Sequence, residues 1–197
     1  MKFKIFLLTV TAICFHQAFS QNRKIDTTLM IGKAGYKVSC NNKMPDKNSV
    51  MLKPIGFEAG ARDINFYVKG KIMRAEIEDF NNDGFPDVVI FATGGEVVTD
   101  YVNVVNVYAI ASAENKSFTP IYFPDILDDP KLRIGYKGHD EFSLMEGTLL
   151  RKFPVYNVGD STNNPTGGKR IVQYKCFPVE GGGAYKFKVL TTYAVKE

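Results

Sequence analysis

The sequence predicts an all-β fold, an antiparallel β-sandwich or strongly curved sheet with short helical turns. Three observations carry this. Apolar and polar residues alternate with period two over many short segments, Gly, Asn, Asp and Pro clusters separate those segments, and no window holds a long helical period with caps at both ends.

In chain order, MKFKIFLLTVTAICFHQAFSQ comes first. Lys2 and Lys4 form a basic start, Ile5 to Phe15 an apolar core too short for a permanent span, and Ala18-Phe19-Ser20 a small-x-small cleavage site. Residues 1–20 are expected to be a cleaved signal peptide, and residues 21–197 a single β-rich domain in the periplasm or secreted. Cys14 follows Ile13 rather than a small residue, which argues against a lipid anchor. Without Lys2 and Lys4, 23 basic residues face 21 acidic ones, a balance that argues against a nucleic-acid partner. No later segment is long and apolar enough for membrane insertion.

After a polar leader, 21–28, strands are expected at 35–40 and 50–57. Ile64, Phe66 and Val68 then oppose Asn65, Tyr67 and Lys69, and Met73, Ala75 and Ile77 oppose Arg74, Glu76 and Glu78. Further strands are expected at 87–93, 103–111, 147–153 and 170–178, followed by Tyr185, Phe187 and Val189 against Lys186 and Lys188. In 125–146, the stretches DILDDPKL and HDEFSLMEG are expected to form a turn or two of helix.

Between two of these strands lies DFNNDGFPDVVIF, Asp79 to Phe91. Counting from Asp79, side-chain oxygens stand at positions 1 (Asp79), 3 (Asn81), 5 (Asp83) and 9 (Asp87), with Gly84 at position 6. Asp79, Asn81, Asp83, Phe85 and Asp87 are the candidate ligands of a structural Ca2+, since small oxygen ligands around a glycine reversal suit a hard cation. A helical calcium loop would need Glu at position 12, where Ile90 stands. The alternative is a polar hairpin turn in which Asp and Asn bond their own backbone. Both readings stay open on sequence.

Chemistry is sparse elsewhere. His139 is the one histidine after residue 20, Asp140 and Glu141 point to opposite faces of any strand, and neither G-x-S-x-G nor G-x-G-x-x-G occurs. A binder is expected rather than an enzyme, with three candidate loops: Thr93 to Tyr101, Gly135 to Glu141, and Gly159 to Gly168. The first follows the strand that leaves the Asp79–Asp87 loop, so a cation there is expected to order it. Cys40 and Cys176 are either a disulfide, worth about 5 kcal/mol at most by loop entropy, or two buried free thiols.

From Arg74 onward the order of motifs resembles the periplasmic inhibitors of invertebrate-type lysozyme. The acidic D-x-N-x-D-G loop, an apolar strand and a Gly-containing loop are followed by IYFPDILDDPK (121–131), GYKGHDEFSLMEGTLLRKFPVY (135–156) and NPTGGKRIVQYK (164–175). The resemblance covers roughly the last two thirds of residues 21–197. It implies an exported β-rich protein that occludes a lysozyme's cleft with the loop after strand 87–93. Carried over by position, Thr93, Gly94 and Gly95 keep that loop's small character, and Tyr101 stands in the place of its aromatic. Glu96, Val97, Val98, Thr99 and Asp100 depart from the pattern: they lengthen the loop and bring carboxylates toward a cleft whose own catalytic groups are carboxylates. The other reading is a calcium-stabilised envelope module that binds another protein or a glycan without inhibition.

Overall fold

A computed structural model describes residues 24–58, 61–94, 101–113 and 117–195. Its strands are β1 (Ile25–Ile31), β2 (Ala34–Cys40), β3 (Lys47–Ile55), β4 (Ile64–Lys69), β5 (Lys71–Glu78), β6 (Asp87–Thr93), β7 (Val105–Ala113), β8 (Ser117–Tyr122), β9 (Glu141–Met145), β10 (Thr148–Pro154), β11 (Lys169–Pro178) and β12 (Tyr185–Val195). The fold is all-β, as the alternation predicts.

Two sheets form. β1-β2-β3-β4 is a four-stranded meander, and β5-β6-β7-β8-β12-β11-β10-β9 is an eight-stranded sheet. The larger sheet curls until its first and last strands face each other, and Arg74 on β5 donates to the Phe142 carbonyl on β9 at 2.6 Å. A side chain thus links two edges there. One pair departs from the expected antiparallel pattern: β12 runs parallel to β8 at Tyr185–Ile121 and Lys186–Tyr122.

Strand β6 shows why the molecule has two cores. Val88, Ile90 and Ala92 pack with Tyr36, Val38, Val50, Leu52 and Val68 of the small sheet, whereas Val89 and Phe91 join the interior of the curl. A strand buried on both faces reads as a continuous apolar run, and the expected 87–93 matches β6.

Three expectations need correction. HDEFSLMEG is not helical: 141–145 is β9, with Phe142 buried and Leu144 half-buried between the exposed Glu141, Ser143 and Met145. Glu146 and Gly147 have φ of 45° and 71° and form the two-residue turn into β10, the twist that two-residue hairpins favour. The polar leader also ends early, because 25–31 is β1. Met73 does not face inward with Ala75 and Ile77. A register shift between Ile72 and Arg74 buries Ile72 and leaves Met73 50% exposed.

DILDDPKL does hold one short turn, a 3-10 helix at Ile126–Asp128 capped by Asp125. Strand β8, unexpected from sequence, contains Pro120. It is tolerated because β12 pairs with β8 only at Ile121 and Tyr122, so Pro120 has no neighbour on that side that needs its N–H. The signal-peptide expectation, 1–20, lies outside the described residues.

Candidate binding site

The two regions singled out by sequence sit at opposite ends of β6. Asp79 to Asp87 enters it, and the segment from Thr93 to Tyr101 leaves it. Seven strand residues place them about 20 Å apart. Direct ordering of the loop by a cation at the far end is therefore not what this geometry provides.

At the entry end, the acidic residues wind the chain around themselves. Asp79 accepts from the N–H groups of Asp83 at 3.1 Å and Gly84 at 3.0 Å, and Asp83 accepts from Phe85 N–H at 2.9 Å. Asn81 donates to Asp83 Oδ2 at 3.1 Å and to the Ser112 carbonyl at 2.8 Å. Gly84, at φ 87°, makes the reversal that a side chain would strain.

Asp87 is fully buried and is the centre of this end. It accepts from the N–H groups of Phe80, Asn81 and Ser112 at 2.8, 3.2 and 2.8 Å, and from Ser112 Oγ at 3.2 Å. Burial pushes its carboxyl up to about 7, the Asp83 charge adds to the rise, and the backbone donors oppose it. These are the backbone bonds of the polar-turn reading, and the oxygens that make them are the same ones the calcium reading names as ligands. Asp83 and Asp87 nevertheless converge, with Ser112 Oγ 3.4 Å from both Asp83 oxygens. Phe85 is half-buried in the same turn.

At the exit end the structure brings the candidate loops together. Thr93 pairs with Val105, and the Gly94 carbonyl accepts from Asn106 Nδ2 at 3.3 Å, which fixes one foot of the first loop. Gly95 and 96–100 lie outside the described residues. The other foot is Tyr101, half-buried with its ring 5.7 Å from that of Tyr136 in the second loop. Val102 then bridges Gly138, where a Cβ would stand 2.0 Å from the Val102 carbonyl oxygen, so only glycine fits.

Tyr156 joins the second and third loops. Its N–H bonds the Gly135 carbonyl at 2.8 Å, its hydroxyl donates to the Thr162 carbonyl at 2.8 Å, and its ring stacks on His139 at 6.4 Å with Lys137 Nζ 5.2 Å away. His139 Nε2 is buried without a hydrogen-bond partner among the described residues. Asp160 ties the third loop back by accepting from Asn157 N–H at 2.7 Å and Thr166 N–H at 2.8 Å. Beside it lies an open cleft of about 580 Å³ whose polar lining is Asn157, Thr166 and Lys169, between Pro154 and Pro165.

A buried ion pair underlies this end and was missed from sequence. Arg151 points into the curl between Leu149 and Phe153 and forms a two-pronged contact with Asp140, Nε to Oδ1 and Nη2 to Oδ2, both at 2.8 Å. Their side chains are 4% and 0% exposed. Asp140 also accepts from Val105 N–H at 3.1 Å and Tyr136 Oη at 2.8 Å. Burial alone would lower the Arg151 pKa, but the Asp140 carboxylate more than offsets it and holds the guanidinium charged. The pair therefore fixes both feet of the end: Val105, opposite Thr93, and Tyr136, against Tyr101.

Cys40 and Cys176 are separate buried thiols, Cys40 between the sheets and Cys176 inside the curl, so the disulfide alternative is not formed. Burial raises both thiols, Cys176 to about 12 with the Asp87 charge contributing. Scans against protein-family models and curated proteins find no match for this chain.

Proposed function

We propose that this is an exported lysozyme-inhibitor-like protein that blocks the active-site cleft of an invertebrate-type lysozyme with the segment from Thr93 to Tyr101. It is a binder, not an enzyme. The ordered resemblance from Arg74 onward carries the reading, and the all-β fold suits it. The fixed feet of the segment also support it, since a loop held at Thr93 and Tyr101 loses less freedom on binding. The mechanism is steric: the loop fills the cleft, Gly94 permits close approach, and no bond is made or broken.

Cell-wall lysis by an invertebrate-type lysozyme, measured with equimolar protein at micromolar concentration, tests this. Lysis should fall, and a Tyr101→Ala variant of unchanged circular dichroism should inhibit about tenfold less well or worse. Undiminished lysis with the native chain sinks the proposal.

A second reading is favoured by the cleft at the third loop: a calcium-stabilised envelope module for another protein or a glycan, with the amide of Asn157, the hydroxyl of Thr166 and the ammonium of Lys169 in its lining. Calcium is common to both readings. Its support is the convergence of Asp83 and Asp87 on Ser112 Oγ, with the Phe85 carbonyl and Asn81 in the same turn. Millimolar calcium should raise the melting temperature relative to chelator, because a ligand of the folded state alone stabilises it. The rise should vanish in Asp83→Ala. Equal melting of the native chain with and without calcium reduces the turn to a hairpin.

A further inference from the structure

Among the described residues, the outermost strands of the two sheets each carry a feature that hinders further pairing. β1 carries Asp26, paired with Lys24 and Lys37. On β4 the Lys69 N–H is taken by Tyr108 Oη at 2.7 Å. β5 and β9 are linked by Arg74, and β9 begins with the Glu141–Lys152 ion pair. These are ordinary ways of keeping a strand from recruiting another.

The inner strand β12 is different: 189–195 takes part in no such ion pair or side-chain hydrogen bond among the described residues. Its pairing with β8 ends at Lys186, and beyond that point β11 is its sole strand partner among the described residues. Val189, Leu190, Tyr193 and Val195 are 40, 51, 51 and 42% exposed, and 189–195 holds no charged residue. A register shift against β11 between Gln173 and Tyr174 leaves Leu190 unpaired, and 191–195 (TTYAV) then runs without interruption opposite Lys169 to Gln173.

We infer that this open edge, Thr191 to Val195, is a self-association surface on which a second copy of the chain pairs antiparallel with Tyr193 on the twofold axis. The sequence of the edge selects the occupant. In that register Tyr193 faces the second copy's Tyr193, Thr191 faces Val195, and Thr192 faces Ala194. No charge meets a charge of its own sign, and aromatic and β-branched residues meet across the strands, the pairings that stabilise antiparallel ladders. The same patch serves both copies, as a twofold interface requires. Tyr193 also extends a row through its strand neighbour Ile171, so side chains on the outer face add to the ladder. The inference does not depend on lysozyme binding, and a failed lysis assay leaves it untouched.

Sedimentation velocity of the protein without a C-terminal tag, over a wide concentration series, tests it. The sedimenting mass should double as concentration rises. Tyr193→Lys sets ammonium against ammonium on the axis and should weaken self-association about tenfold or more. Met44→Lys, a comparably exposed change in the loop between β2 and β3, should leave it unaltered. Tyr193→Cys should give a covalent dimer on mild oxidation, and Thr192→Cys far less, because only the first sets two thiols opposite each other. Near-ultraviolet circular dichroism checks that each variant is folded. A native chain that stays monomeric throughout, or a dimer that survives Tyr193→Lys unchanged, overturns the inference.

Discussion

The two ends of β6 solve the same problem, holding a polar loop on an apolar scaffold, with different chemistry. At the entry end one buried carboxylate, Asp87, gathers backbone donors from Phe80, Asn81 and Ser112. Among the described residues, no cationic side chain is bonded to it. At the exit end Asp140 is buried just as deeply but is matched by Arg151, and backbone donors are secondary. The first arrangement closes a turn upon itself. The second ties together pieces of chain far apart in sequence, Val105, Tyr136 and Arg151, at the feet of the loop segments.

Removing the cation should break this comparison most severely. Arg151→Met leaves Asp140 buried against an apolar neighbour and should cost about 3–5 kcal/mol in urea unfolding. The double change Arg151→Met with Asp140→Asn should recover much of that loss, since the large term is the unpaired charge and not the pair itself. If the single change is as mild as the double, Asp140 is not held as a charge by Arg151, and the contrast between the ends fails.

A smaller effect is expected at the entry end. Asp87→Ala strands buried N–H groups of Phe80 and Ser112, each costing about 1–3 kcal/mol when left without an acceptor. Asp87→Asn, which keeps one acceptor oxygen, should cost less. Melting in chelator separates these losses from any contribution of calcium. Equal stability of Asp87→Ala and the native chain would mean that the turn holds without its central carboxylate.

Much of this was legible in the sequence, and the failures have local causes. The apolar run of β6 and the alternation of Ile64, Phe66 and Val68 fixed their strands because burial on two faces or one leaves a direct trace. β9 was hidden because Glu146 and Gly147 are a less usual hairpin pair than Asn-Gly. Met73 was misplaced because a bulge breaks period two without a Gly to announce it. The Arg151–Asp140 pair left a usable signal: in TLLRKFP, Arg151 takes the inward phase of Leu149 and Phe153, so a buried cation needing a carboxylate could have been inferred. Which carboxylate could not, because the 2.8 Å contact between residues eleven apart in the chain depends on the β9–β10 hairpin. The thiol pairing was undecidable for a related reason: β6 places Cys40 and Cys176 on opposite sides of one strand.

Acid should sharpen the contrast by moving the two ends in opposite directions, the smallest of these effects. Asp87 is raised from 3.8 to about 7, chiefly by burial. A raised carboxyl contributes stability that is fully present below 3.8 and lost as pH rises through about 7, so in chelator the entry end should tighten as pH falls across that window. Asp160 is lowered, chiefly by the N–H groups of Thr166 and Asn157. A lowered carboxyl contributes stability present above 3.8 and lost as pH falls through its folded value, so the loop at 157–167 should loosen only below that range. Hydrogen exchange read by residue distinguishes the ends: protection of Phe80 and Ser112 amides should grow from pH 8 to pH 5 relative to Asp87→Asn, after correction for the intrinsic rate. The Thr166 amide should stay protected until stronger acid. Parallel loss at both ends would show that Asp87 carries its charge without penalty, and that the absence of a cation beside it has no energetic consequence.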